Sequence, residues 1–352
     1  LDVNLDLART RNILFPLLIS LASSSLLILL VNGSSYLETG ELTVGNFVAL
    51  IIYIERLIVP TALLGFTITA YQRGEVSIDR IEAILTVEPK IKDYKSPLAF
   101  PQVVQGSIKS QGLTYTYPGS KIPALDNINF LIQPGETIAI VGPIGAGKST
   151  LANTLPRLLN IDIDQLFIDG YDVHKLRLED LRKTIAYVPQ ESLLFSTTIK
   201  NNICYGDPAK EQKKIEFAAK QAQIHKEILN FPQQYETIVG ERGITLSGGQ
   251  RQRTALARAL LVDRPILILD GALSSVDNQT ATNILQNLST GTKKKTVIFI
   301  THQMSAVAAN ADRIFVMHKG KIVQAGNHAE LFGKPGLYQL LWQQQNLKKL
   351  SE

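Results

Sequence analysis

Two membrane-crossing α-helices followed by an α/β domain on a mainly parallel sheet are predicted from three stretches of sequence. Residues 13–31, ILFPLLISLASSSLLILLV, carry no charge and approach the ~20 residues a helix needs to cross a bilayer. Residues 47–70, FVALIIYIERLIVPTALLGFTITA, are long enough to cross as well. Beyond residue 107, the apolar runs TIAIVG, TIAYVP, ILILD and TVIFIT alternate with helical patterns. That alternation marks short buried strands joined by helices.

The composition fits this plan. A chain of 352 residues, 45% hydrophobic and 19% charged, is globular with extra apolar sequence, and its length suggests two or three domains. The net charge of +5 is small and scattered, and no dense basic run offers a nucleic acid a footprint. The single cysteine, Cys204 in NNICYG, excludes an internal disulfide. It reads as an inert packed thiol in a reducing compartment.

The elements follow in order. The opening LDVNLDLARTRN is charged and shows no secretory signal, so the chain reads as cut from something longer. In the first span, Ala22 to Ser25 are small enough to let a neighbouring helix approach. Arg9 and Arg11 precede that span and Arg73 and Arg80 follow the second, while the loop between them holds Glu38 and Glu41 without a base. The positive-inside bias then places both ends in the cytoplasm. Glu55 and Arg56, near the middle of the second span, are expected to face a protein or water interior. GEVSIDRIEAILTVEP reads as a helix leaving the membrane and stopped by Pro89. Residues 1–88 are therefore assigned to the membrane part, 89–106 to a linker, 107–345 to the α/β domain and 346–352 to a tail.

The strongest local signal is GETIAIVGPIGAGKST. It sets Gly142, Pro143, Ile144, Gly145, Ala146, Gly147, Lys148, Ser149 and Thr150 between a strand and the start of the helix STLANTLPRLL. Glycines let backbone N–H groups point inward at phosphate oxygens, and a helix N-terminus adds partial positive charge. Lys148 is expected to reach the outer phosphates and the Ser149 hydroxyl to hold Mg²⁺. Asp270, ending the strand ILILD, would complete the metal shell. These residues predict a nucleoside-triphosphate site.

A second signature narrows the class. ITLSGGQRQRTALARALL places Ser247, Gly248, Gly249 and Gln250 just ahead of an amphipathic helix in the same domain. With it, residues 107 to 345 resemble the ATP-binding cassette (ABC) family, whose fold is a mainly parallel sheet with an antiparallel portion and a helical subdomain. The resemblance implies ATP and Mg²⁺ as ligands. It makes Tyr117 in YTYPG the aromatic that stacks on adenine. It makes Gln190 in YVPQ the glutamine that senses Mg²⁺ and the attacking water, Asp277 in SSVD the D-loop aspartate and His302 in FITHQ the switch histidine. Glu241 and Arg242 resemble the segment that precedes the signature in exporters. By the same resemblance Asp270, Gln190 and His302 carry the catalysis, and Ser149, Gln190 and Asp270 hold the metal. Ser247, Gly248, Gly249, Gln250 and Asp277 would act in trans, on a nucleotide held by the opposite subunit.

ELTVGNFVALIIYIERLIVP is similar to the last two of the six helices in an exporter half-transporter of the multidrug and lipid branch. The expectation is a multi-pass protein of the plasma (inner) membrane with its nucleotide-binding domain in the cytoplasm. It would pair with a second half-transporter, a heterodimer being favoured over a homodimer. Its cargo would be a small hydrophobic molecule or a lipid, and nucleic acid is not an expected partner. One position departs from the family. Where the residue after the metal-site aspartate is usually Glu, this chain has Gly271. Glycine offers no acceptor to orient water, and general-base help is typically worth ~10²–10⁴-fold. The chain's own site should therefore bind ATP and hydrolyse it poorly. Its intact signature could still complete a partner's site. Rival readings are a degenerate remnant of a longer gene, a purely regulatory ATP-binding subunit, and a soluble cassette ATPase acting on nucleic acid, against which the two apolar segments stand.

Overall fold

The computed structural model describes residues 2–100, 103–289 and 294–351, and it divides into two compact units, Leu1–Pro89 and Lys90–Glu352. The first unit consists of helices α1 (Asp2–Glu38) and α2 (Val44–Leu85). Thr43 starts α2 by accepting the Asn46 amide at 3.3 Å, which satisfies one of the free N–H groups of the first turn. The two helices approach closely at Gly33, where any Cβ would strike the ring of Phe47.

Both helices are long and apolar enough to cross a membrane. Leu17, Leu27, Ile28, Ile52, Leu63 and Phe66 all stand exposed along them. Apolar surface on that scale calls for lipid or further helices as its solvent. The predicted spans 13–31 and 47–70 are segments of these longer helices, and the segment predicted to leave the membrane simply continues α2. Glu55 and Arg56 are exposed on α2.

The second unit holds two sheets. Strands β1 (Ile108–Tyr115), β2 (Leu125–Ile132), β4 (Leu166–Ile168) and β5 (Tyr171–Asp172) form an antiparallel sheet in the order β2-β1-β4-β5. Strands β3 (Thr137–Val141), β6 (Ile185–Val188), β7 (Ile266–Asp270), β8 (Thr296–Ile300), β9 (Arg313–His318) and β10 (Lys321–Gly326) form the larger sheet in the order β10-β9-β3-β8-β7-β6. All its pairings are parallel except β10 with β9.

The central strands read as unbroken apolar runs because both faces are covered. Ile138, Ile140, Ile268 and Ile298 pack into a core with Ile108, Leu113 and Leu125 of the antiparallel sheet. Ala139, Val141, Leu269 and Phe299 point the other way, into a core shared with the helices Gln212–Gln221 and Gly248–Leu261. Cys204 is a free, buried thiol in that second core.

Two sequence expectations change. Residues assigned to a linker are docked on the second unit. The Leu98 amide donates to Lys175 O at 2.7 Å, and Phe100 and Val104 pack on the core. Asp169 gathers the amides of Gln105 (2.8 Å), Gly106 (3.0 Å) and Ser107 (2.7 Å) on its carboxylate. These contacts join residues distant in sequence and leave no local period to read. Pro101 and Gln102 of that segment lie outside the described residues. The predicted tail instead continues the helix Leu337–Ser351, while Glu352 lies outside the described residues.

Asp169→Ala would leave the buried Gly106 amide without its acceptor, at a cost of about 1–3 kcal/mol. The urea midpoint of the second unit should fall accordingly, while Asp169→Asn, which keeps one carbonyl oxygen, should recover part of the loss.

Candidate nucleotide-binding site

Parallel strands deliver their carboxyl ends to one edge of the larger sheet, and loops leaving that edge are where ligands bind in open α/β sheets. Here β3 delivers residues 142–147, β6 delivers Gln190, β7 ends on Asp270 and β8 leads to His302. The register keeps these ends level, with Val188 opposite Leu269 and Asp270 opposite Ile300.

The loop after β3 depends on glycine. Gly147 has φ 96°, and a Cβ there would come within 2.5 Å of Ala124 O. Gly142 has φ 150°, and a Cβ on it would collide with Met317 O. The loop is also tied to the strands beside it, since the Gly320 amide donates to Ala146 O at 3.1 Å. From Gly147 the chain enters α3 (Lys148–Thr154), which is shorter than the predicted helix and ends before Pro156.

Lys148 is buried at the centre of the loop. Its Nζ donates to Gly142 O and Pro143 O, both at 2.8 Å. An ammonium has three donors, so one remains to be shared with a ligand. Burial lowers its pKa and the nearby Asp270 carboxylate opposes that shift.

Ser149 Oγ donates to Asp270 Oδ1 at 3.0 Å. The Tyr187 hydroxyl reaches Asp270 Oδ2 at 3.4 Å and Asn153 Oδ1 at 2.8 Å. Burial raises the Asp270 pKa, while the hydrogen bonds from Ser149 and Tyr187 and the Lys148 charge hold it down. Tyr117 sits at the exposed rim with its hydroxyl 3.3 Å from Thr150 Oγ1 and its ring edge-on to Tyr115.

This geometry fits a triphosphate with a hard cation. Gly142 and Gly147 approach the neighbouring backbone too closely for a side chain, Lys148 supplies a buried cation, and Ser149 and Asp270 offer paired oxygen donors suited to Mg²⁺.

Gly271 has φ 60°. Its amide donates to Ile300 O at 3.0 Å, and its carbonyl accepts from Ser274 N at 3.0 Å and Ser274 Oγ at 2.6 Å. A Cβ at this position would lie 3.2 Å from Gln190 Cγ, so the two side-chain positions adjoin. His302 stands on the exposed rim, its pKa lowered by partial desolvation and then by the Lys148 charge.

The signature forms a second cluster. Ser247 Oγ accepts the Gln250 amide at 3.2 Å, and Gln250 Oε1 accepts the Ser247 amide at 2.9 Å, a reciprocal cap on the helix Gly248–Leu261. Gln250 Nε2 donates to Glu227 Oε2 at 3.0 Å, so its side chain is committed within the chain. Ser247 is exposed, and Gly249 lies against the Ser275 carbonyl so closely that a Cβ would come within 2.8 Å of it. Asp277 caps the helix Asn278–Ser289 by accepting the Thr280 amide at 2.9 Å, which lowers its pKa. Glu241 is exposed in the short turn Glu241–Gly243, and the Arg242 side chain lies outside the described residues. Tyr187 and Asn153 were not foreseen. Tyr187 stands in an apolar strand run, and its one polar atom leaves no mark on the pattern.

Residues 125–274 match the family described as ABC transporter. The second unit carries an ABC transporter domain. The chain is 39% identical over 322 residues to the multidrug resistance-like ATP-binding protein MdlA of Escherichia coli, covering 91% of this chain and 54% of that protein. It is 40% identical over 341 residues to the ATP-dependent lipid A-core flippase of Pseudomonas fluorescens, covering 97% of this chain and 56% of that one. A solved bacterial Atm1-family ABC exporter with ATP bound superposes with a TM-score of 0.78 at 34% identity, covering 86% of this chain and 53% of that chain. The chain thus spans little more than half the length of these relatives.

Two outcomes test the ABC site. Lys148→Ala removes a charged donor worth about 1.5–3 kcal/mol. Binding of a fluorescent ATP analogue should weaken about 10- to 100-fold, with the circular dichroism unchanged. His302 should titrate below its usual value near 6.5 in the nucleotide-free chain, read by NMR of the ring protons. Its depressed folded pKa means that its stability contribution is present at neutral pH and is lost as pH falls from about 6.5 through the folded value.

Proposed function

We propose that this chain is the ATP-binding part of an ABC exporter. In this reading, ATP binding and hydrolysis in a dimer drive export of a small hydrophobic molecule or a lipid across the membrane. ATP lies on the loop Gly142–Thr150 with its adenine against Tyr117. Ser149, Asp270 and Gln190 would hold Mg²⁺, which when bound would neutralise charge on the outer phosphates. Lys148 brings its remaining donor to the same phosphates, and His302 reaches the terminal one from the rim.

The observation that carries the finer reading is Gly271 beside an otherwise complete site. It adjoins Gln190 with no carboxylate to orient water, while Lys148, Ser149 and Asp270 are assembled. The chain's own site therefore binds ATP and turns it over slowly. Ser247, Gly248, Gly249 and Asp277 complete a second site on a partner that carries the missing carboxylate, and this favours a heterodimer. The multidrug and lipid names of the relatives suggest the cargo class. The exposed apolar helices α1 and α2 suggest a multi-pass place in the plasma (inner) membrane with the cassette in the cytoplasm.

The purified chain should bind Mg-ATP with little turnover. Gly271→Glu should raise its phosphate release by an order of ~10²–10⁴-fold, reduced by the ~1–2 kcal/mol that a side chain pays in the left-handed region. Brisk hydrolysis by the unmodified chain alone would refute the impaired-site reading.

A further inference from the structure

The turn from Gly271 to Asp277 is held from two sides by glutamines that no role above uses. Gln252 lies on the signature helix and is buried, 8% exposed. Its Nε2 donates to Gly271 O at 3.2 Å and its Oε1 accepts the Ser275 amide at 3.0 Å. One carboxamide therefore spans the turn and uses both of its polar ends. From the other side, Gln303 Nε2 donates to Val276 O at 2.7 Å and Leu273 O at 3.3 Å. Gln303 directly follows His302.

We propose that Gln252 is a positioning residue that makes the signature helix and this turn one rigid body. The inference rests on the reading that Ser247, Gly248, Gly249 and Asp277 face a partner's nucleotide. Asp277 leaves the turn and the signature glycines start the helix, so both must hold a fixed spacing to meet one ligand. Gly249 already abuts Ser275 O, and a backbone contact alone permits sliding. Two directional hydrogen bonds from a buried side chain do not, because separating them strands a buried carboxamide. Gln303 then connects the same body to the segment carrying His302. A physical chain of contacts thus runs from the rim of the chain's own ATP site to the face that it offers its partner. Whether energy travels along those contacts is a coupling question that variants can answer.

The test uses the full chain in detergent micelles with three readouts: binding of a fluorescent ATP analogue, hydrogen exchange of the 271–277 amides, and ATP-dependent self-association. Gln252→Met keeps length and burial but loses both hydrogen bonds. It should leave analogue binding within about twofold, raise exchange at Ser275 by about tenfold, and weaken association by about tenfold. Gln252→Glu keeps an acceptor for the Ser275 amide and should retain its protection. Gln303→Met should loosen the same turn, and the double variant should show less than the product of the two single effects. Unchanged Ser275 exchange and unchanged association in Gln252→Met would overturn the proposal. So would a uniform rise in exchange across the cassette, which marks general destabilisation. If the unmodified chain shows no ATP-dependent self-association, a site shared between two copies of this chain is ruled out, and Ser275 exchange still decides whether Gln252 is the brace.

Discussion

The buried ammonium of Lys148 is the constraint on which the site depends. A charge removed from water must be fully satisfied, and two of its donors are met by Gly142 O and Pro143 O of its own loop. That requirement curls the backbone at Gly142 and Pro143 around the side chain. The curl is possible only because Gly142 and Gly147 lack a Cβ that would meet Met317 O and Ala124 O. Glycine spacing, lysine burial and the position of the remaining donor are thus one arrangement.

The parallel sheet extends that arrangement to residues far away in the chain. Because β3, β6, β7 and β8 all run the same way, their carboxyl ends bring Lys148, Gln190, Asp270 and His302 to a common edge. Burial pushes the Asp270 carboxyl above its usual range, and the bonds from Ser149 and Tyr187 and the Lys148 charge oppose that rise. Gly271 sits one residue beyond and belongs to a different task. Its left-handed turn directs its carbonyl toward Ser274 and Gln252. The position after Asp270 is thus a backbone junction between the end of β7 and the helix Gly248–Leu261.

Much of this was legible without coordinates. The phosphate loop, Asp270, the signature and the four buried strands could be read directly, because each depends on neighbouring residues or a repeating local pattern. A glycine at a left-handed turn and a strand buried on both faces are local facts. The docking of Gln105 and Gly106 was not legible, since Asp169 collects their amides from more than sixty residues away. Tyr187 was hidden for a similar reason, its hydroxyl meeting Asp270 across two adjacent strands.

What the residue order offered was an expected chemistry: a loop suited to a triphosphate, an oxygen pair suited to Mg²⁺, and Gly271 where the resembled family usually has Glu. The folded chain settled which groups share hydrogen bonds. Gln250 is read from sequence as part of the signature, yet its side chain is spent on Ser247 and Glu227. Gln252, two residues on, carries no local signal and spans the turn after Asp270. The reason is directional bonding: a carboxamide's role is set by the two atoms it faces, and these come from strands and turns that sequence distance does not reveal.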